Sequence, residues 1–264
     1  MIKFYSLSSG SSGNSAFIKY NNTNILIDCG ISAKRIKESL CSIGESSVDA
    51  ILITHEHSDH ICGLKVLTKA FCVPVYATAP TWEQLEKVSE SIPLFNKQIA
   101  IPGKTFFIGD IDVTPVLTSH DSALSVGYIF NCGGTKYALA TDNGRLTGEF
   151  AEYLKGCDTA LIEANYDEEM LENGPYPYPL KKRIASHIGH MSNSQAAKLA
   201  CALSRSGTKR IVLGHLSKEN NTPSVAYNTV KEALKNENLS VSLKVAERYD
   251  ITNLLENEIK DLDY

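Results

Sequence analysis

The chain lacks any long apolar run. Nowhere in its 264 residues does an uncharged stretch approach the roughly 20 residues that span a bilayer. Its start, MIKFYSLSSG, lacks the apolar core and small-residue cleavage site of a secretory signal. We therefore expect no membrane association and a cytoplasmic location. Basic charge is not in excess either: 26 Lys and Arg stand against 30 Asp and Glu. That excludes a generally basic nucleic-acid coat protein, but not an enzyme that gathers positive charge locally. There is no CxxC pair among the seven scattered cysteines, an odd number. This fits reduced thiols and excludes a disulfide framework. Low-complexity linkers and short repeats are missing too, so residues 1–264 read as a single domain with enough length for a substantial core.

What is present is alternation. Phe17–Tyr20 and Asn24–Asp28 read as paired strands around YNNTN, and SAKRIKESLCSIG reads as a helix. Val48–Thr54 is a continuous apolar strand, GLKVLTKAF a helix, PVYAT a strand and PTWEQLEKVSE a helix. The middle is hairpins: TFFIGDIDVTPVLTSH turns at GD, and ALSVGYIFN pairs with TKYALATD. The strands DTALIEAN and KRIVLGH then flank the helix SNSQAAKLACALSRSG. A helix from Pro223 and the strand SVSLKVAERYD follow. This is an α/β (α+β) pattern, and its central hairpins rule out a purely parallel sheet. Two mixed β-sheets packed together and flanked by helices fit it.

One stretch breaks the apolar rhythm. THEHSDH, Thr54–His60, follows AILI directly and holds three of the seven histidines. In extended chain, His55 and His57 point to one side. Asp59 and His60 come after the chain begins to turn toward the helix at Gly63. Such a segment offers two ligands to one metal and two to a neighbour. Imidazole with carboxylate suits Zn, Mn or Fe rather than Ca. Three later strands end abruptly in a residue of the same kind: TPVLTSH at His120, KYALATD at Asp142 and RIVLGH at His215. Strand ends on one rim of a sheet are where sites collect.

This set, THEHSDH with His120, Asp142 and His215, resembles the metallo-β-lactamase superfamily over nearly the whole chain. The resemblance implies an αββα four-layer sandwich with a dinuclear site. His55, His57 and His120 would hold one ion, and Asp59, His60 and His215 the other. Asp142 would bridge both, with Asp59 and Asp142 taking part in catalysis through the ions. Asp28 in LIDCG matches the early aspartate that supports the metal loops without ligating. Two close divalent ions, Zn or Mn with Fe a further option, lower the pKa of a water between them and offset charge at the attacked centre. A carboxylate can span two cations where a neutral imidazole cannot.

SLSSGSSGNS, EANYDEEMLENGPYPYPLKKRI, GHMSN and GHLSKENNTP resemble the YycJ/WalJ family, regarded as single-domain exonucleases acting on DNA from the 5′ end. The resemblance implies a metal-dependent phosphodiesterase, a 5′-to-3′ DNA exonuclease with a link to DNA repair. DNA is then the partner expected, with no obligate protein partner. Two other readings stay open: a phosphodiesterase for a small cyclic or activated phosphate, and a regulatory protein whose metals only hold the fold.

The residues near these motifs suggest substrate contacts. Ser192 and Gln195 form a capping box before AAKLACAL, so a helix begins just after His190. Its free N–H groups, around Ser192 and Asn193, would favour an anion. His190 is placed to protonate a leaving oxygen or to hydrogen-bond a phosphate. Lys182 and Arg183, after Lys181, make a short basic run that suits a phosphate backbone. Ser11, Ser12 and Asn14 would line the cleft with donors. Tyr176 and Tyr178 either stack on bases or shape a rigid loop. Nothing but proximity recommends His187.

Overall fold

The Ile25–Ile27 part of strand Thr23–Ile27 is apolar on both faces. Ile25 and Ile27 point one way, Leu26 the other, and all three are fully buried. A strand of this kind must be covered on both sides. In the computed structural model, which describes residues 1–257 apart from 86, 87 and 89, the covering is a second sheet on one face and helices on the other.

The first sheet holds β1 (Ile2–Ser8), β2 (Ser15–Tyr20), β3 (Thr23–Ile27), β4 (Ala50–Leu52), β5 (Val75–Ala77) and β6 (Lys97–Ile99). The second holds β7 (Phe106–Ile108), β8 (Ile111–Leu117), β9 (Val126–Cys132), β10 (Thr135–Ala140), β11 (Cys157–Glu163), β12 (Arg210–Gly214) and β13 (Ser242–Val245). The short β14 (Thr252–Asn253) returns to β1, giving orders β14-β1-β2-β3-β4-β5-β6 and β13-β12-β11-β10-β9-β8-β7. Both sheets are mixed: hairpins at β1–β3 and β7–β10, parallel ladders from β3 to β6 and from β10 to β13.

The helices are α1 (Ala33–Ser42), α2 (Ser58–Ile61), α3 (Leu64–Phe71), α4 (Ala79–Gln84), α5 (Gly148–Leu154), α6 (Glu168–Asn173), α7 (Tyr178–Ile184), α8 (Asn193–Arg205) and α9 (Pro223–Asn236). Three apolar seams separate four layers. Phe4, Ile18, Leu52, Tyr128, Phe130 and Leu161 fill the seam between the sheets. Ile36, Leu40, Leu64 and Leu67 of α1 and α3 cover the outer face of the first sheet. Leu199 and Leu203 of α8 with Val230 of α9 cover the second. This is the αββα four-layer sandwich expected.

Several boundaries differ from the sequence pattern. The strand read over Val48–Thr54 shrinks to Ala50–Leu52, because Thr54 leaves the ladder to bond Asp28. Helix α2 was not foreseen; it starts inside THEHSDH, at Ser58, and carries Asp59 and His60, with the His60 ring 4.1 Å from that of His55. Helix α4 carries Pro80 in its first turn, and residues 86, 87 and 89 of PTWEQLEKVSE lie outside the described residues. So do residues 258–264 of the acidic end. Helices α6 and α7 occupy the Glu163–Asn193 stretch that shows no clear period. All seven cysteines are free, and Cys29, Cys132, Cys157 and Cys201 are buried.

Parallel strands point their C-terminal ends to one edge, which is where open α/β sheets bind ligands. Here β3, β4, β8, β10, β11 and β12 lead into Asp28, Thr54, His120, Asp142, Glu163 and His215. Asp28, Asp142 and His215 adopt left-handed backbone, with φ of 57°, 57° and 56°. That conformation is uncommon outside glycine, less so for Asp and His. It turns each chain sharply off its strand and back across the rim.

Away from the rim, buried Glu45 joins the two first strands. It accepts from Lys3 at 2.7 Å and from Lys19 at 2.9 Å. Burial pushes its carboxyl up, but the two lysines outweigh that and hold it below its ordinary value of 4.5. A carboxyl lowered by folding contributes stability above about 4.5, and that contribution fades as the pH falls further. Glu45→Gln should therefore cost about 1–3 kcal/mol at neutral pH. Urea midpoints should show this deficit shrinking between about pH 5 and 3; a deficit that is constant with pH would contradict it.

Candidate metal centre

Asp28 organises the rim. Its carboxylate accepts from the Thr54 backbone N–H at 2.8 Å, the Thr54 hydroxyl at 2.8 Å and His60 Nδ1 at 2.7 Å. The Thr54 proton is thus spent on Asp28, so its oxygen accepts from His55 Nδ1 at 3.0 Å. His120 Nδ1 lies 2.9 Å from the Gly189 carbonyl, which can only accept. His190 and His215 direct Nδ1 at one oxygen of Glu163, at 2.7 and 3.1 Å. An ionised carboxylate only accepts, so Nδ1 carries the proton in each case. The lone pairs of His55, His60, His120 and His215 are therefore on Nε2. Second partners of this kind fix the tautomer of metal-binding histidines.

Those lone pairs converge. His57 Nδ1 lies 3.1 Å from His55 Nε2 and 3.2 Å from His120 Nε2. A tetrahedral ion with metal–nitrogen bonds of about 2.0–2.1 Å has ligand edges of about 3.3–3.4 Å. Asp59, His60 and His215 form a second group of ligand atoms within 4.8 Å of one another. Asp59 Oδ2 stands 3.6 Å from His60 Nε2 and 3.5 Å from His215 Nε2. Asp142 lies between the groups: Oδ2 is 3.3 Å from His60 Nε2, while Oδ1 is 3.4 Å from His215 Nε2 and 3.7 Å from His120 Nε2. Asp142 Oδ2 and His215 Nε2 are buried with no hydrogen-bond partner. Orphaned polar atoms at a convergence of lone pairs are what a cation would satisfy. The His/Asp clusters on this fold thus fit divalent metal.

The field of the rim points the same way. Burial pushes the Asp142 carboxyl up, yet His215 and His60 hold it well below the usual carboxylate range. Burial also lowers His60 and His215, but the carboxylates around them win. Asp28 and Asp142 raise His60 well above its ordinary value. Asp142, Asp59 and Glu163 raise His215 to about 10. By contrast, His55 is pushed well down by burial and by its neighbour His60. Without a metal, the carboxylates draw protons onto the imidazoles; the pocket favours positive charge.

All seven proposed ligating residues come together. Glu163 is the member sequence reasoning missed. It is fully buried, and besides the two histidines it accepts from the N–H groups of Asn143 and Met191 at 2.8 and 3.2 Å. Burial raises its carboxyl, but His190 and His215 bring it down to about 2. Its signal was available: DTALIE is another apolar strand ending in an acid.

A cleft of about 380 Å³ opens over the cluster, lined on the far side by Tyr176, Leu180, Arg183 and Ile184. His190 and Ser11 reach it; Ser12 is exposed outside it. Asn14 is buried, with Nδ2 3.3 Å from Asp59 Oδ2 and 3.1 Å from His60 Nε2, so it steadies metal-site residues. Lys182 lies over the Tyr178 ring at 4.8 Å, on a separate groove. The capping box of α8 is present, but it uses the donors that an anion would need. Ser192 N donates to Gln195, Asn193 N to the Tyr166 carbonyl and Gln195 N to Ser192 Oγ. Ser192 and Asn193 are buried caps, not cleft residues. His187 is exposed.

Fold and site together define a metal-binding sandwich of the hydrolase type, and comparison with known proteins agrees. Residues 23–216 match the Beta-lactamase superfamily domain. Exodeoxyribonuclease WalJ of Streptococcus pneumoniae is 39% identical over 245 residues, which cover 91% of each chain. Exodeoxyribonuclease YycJ of Bacillus anthracis is 37% identical over 243 residues, covering 91% of this chain and 92% of its own. The metallo-beta-lactamase fold protein YhfI of Bacillus subtilis has a TM-score of 0.70 at 16% identity, over 96% of this chain and 99% of its own, a likeness of fold. The chain belongs to the beta-lactamase superfamily and, within it, to the family that contains WalJ and YycJ.

Asp28→Asn leaves one acceptor oxygen where three donors now converge. It should weaken divalent-metal affinity by about 10–100-fold. Calorimetric titration of chelator-treated protein checks this; unchanged affinity would show that the Asp28 contacts do not set the geometry of the site.

Proposed function

We propose that the chain is a 5′-to-3′ exodeoxyribonuclease that works with two divalent ions, Zn or Mn with Fe as the next candidate, as a single cytoplasmic domain with no obligate protein partner. The observation that carries this reading is the buried Asp142 carboxylate set between two groups of imidazoles beneath an open cleft. The names of the family relatives supply DNA as the substrate. Among the described residues no helix is long and apolar enough to cross a membrane.

In this reading His55, His57 and His120 would hold one ion and Asp59, His60 and His215 the other, with Asp142 placed to serve both. When bound, such a pair of ions lowers the pKa of a water held between them and offsets charge on the phosphoryl oxygens. The rest falls to side chains. Glu163 accepts from His190 Nδ1, so a second proton taken up on Nε2 can pass from the imidazolium to the leaving oxygen, returning the ring to its neutral Nδ1–H form. Tyr176, Leu180 and Ile184 keep the opposite wall partly apolar and limit water around the reacting phosphate. A cleft of about 380 Å³ suits one terminal nucleotide. It also suits a small cyclic or activated phosphate, which is the second reading.

The test uses Mn²⁺- or Zn²⁺-loaded protein and 5′-phosphorylated DNA, single- and double-stranded, labelled at either end. His60→Ala combined with Asp142→Asn is the control. Stepwise loss of nucleotides from the 5′ end, absent in the control, is expected. Intact DNA with bis(p-nitrophenyl) phosphate still cleaved would move the substrate to small phosphodiesters. His190→Ala should lower kcat by about 10²–10⁴-fold while metal affinity holds.

A further inference from the structure

The basic run of α7 splits in the fold. Lys181 Nζ donates to the Glu172 carbonyl at 2.7 Å, and Lys182 packs on Tyr178. Only Arg183 lines the metal cleft. Its Nε donates to Asp121 Oδ2, and among the described residues neither Nη nitrogen has a hydrogen-bond partner. Asp121 follows His120 directly. Its other oxygen is buried, without a partner, 3.5 Å from His120 Nε2. The carboxylate is thus bonded to the guanidinium and stands between it and His120. A guanidinium held by Nε keeps both Nη groups for a bidentate contact with one phosphate.

We propose that Asp121 and Arg183 form a phosphate clamp, Asp121 the positioning residue and Arg183 the contact, acting on the phosphate next along the strand from the one cleaved. The Asp121 carboxylate stands between Arg183 and His120, so the guanidinium sits one group out from the ligand cluster. That position suits a neighbouring phosphate, not the reacting one. The clamp would select a polynucleotide over a lone phosphodiester. It rests on the nuclease reading above and names a substrate feature that the metal cluster cannot read.

The experiment compares wild type with Arg183→Ala, Arg183→Lys, Asp121→Asn, the double variant Asp121→Asn/Arg183→Ala, and Lys182→Ala. Binding is read by fluorescence anisotropy, using metal-loaded protein and labelled phosphorothioate DNA that resists hydrolysis. KM and kcat are measured on ordinary DNA and on bis(p-nitrophenyl) phosphate, with thermal midpoints as a folding control. Arg183→Ala should raise Kd and KM for DNA about tenfold and flatten the salt dependence by about one phosphate contact. Asp121→Asn should raise both about threefold to tenfold, and the double variant should be no worse than Arg183→Ala alone. Lysine should recover only part of the loss. Lys182→Ala should stay within about twofold, and the small diester, having no second phosphate, should be cleaved as before. Equal losses on DNA and diester, additive losses in the double variant, or no change in KM would each overturn the clamp while leaving the nuclease reading standing. Wild type that neither binds nor cleaves DNA would remove that reading and the clamp with it.

Discussion

A single carboxylate, that of Asp142, sits buried among the imidazoles of two sheets' strand ends, and the rim is arranged around its charge. An ionised group out of water is tolerated only when paired. His60, His120 and His215 each bring Nε2 within 3.7 Å of it. They can do so only because their other nitrogens are tied down by Asp28, by the Gly189 carbonyl and by Glu163. The outer carboxylates therefore matter for direction as much as for charge. Each turns an imidazole that could rotate into one with a fixed lone pair.

The position of this cluster follows from the apolar sandwich beneath it. The stretches Ile25–Ile27 and Ile211–Leu213 within their strands are wholly apolar and fully buried, so polar groups collect towards the strand ends. The strand ends are the first positions where the backbone leaves the ladder. Left-handed backbone at Asp28, Asp142 and His215 costs of order 1–3 kcal/mol each. The surrounding hydrogen bonds and charge pairs must over-determine these turns. Asn21, Cys72 and Asn238 share this backbone elsewhere, but Asp28, Asp142 and His215 meet at one rim, and strain at a shared site is what a functional constraint looks like.

Much of this was legible in the sequence, because its signals are abrupt. Apolar runs that stop at His or Asp marked His120, Asp142 and His215, THEHSDH marked the other four clustered residues, and the hairpins among alternating strands and helices marked the two sheets. Glu163 escaped because an acid closing LIE reads as an ordinary strand end until His190 and His215 are seen to share it. Helix α2 escaped because one turn of helix has no period to detect. The start of α8 was placed correctly, but its role as an anion site was misjudged, for a different reason. A capping box marks a helix start, and the same bonds that make it recognisable occupy its N–H groups. Lys182 and Arg183 are adjacent in sequence, yet one faces a groove and the other the cleft. Which side of a seven-residue helix meets the site is a tertiary fact.

Glu163 also explains how two histidines on one oxygen can do different work. His215 is fully enclosed, and its free nitrogen meets Asp59 and Asp142. His190 is held by the same carboxylate but keeps 22% of its side chain exposed, on the cleft. Burial, not identity, divides holding a cation from handing over a proton. The sign of the pocket completes the argument. Asp59, Asp121 and Asp142 line the cleft floor and would repel a phosphate, while Arg183 is the one cationic side chain lining it permanently among the described residues. Bound divalent cations reverse that field more fully than protonated imidazoles can. Substrate affinity and metal occupancy are therefore linked quantities here, and a polyanion should enter the cleft more readily as the metal site is filled.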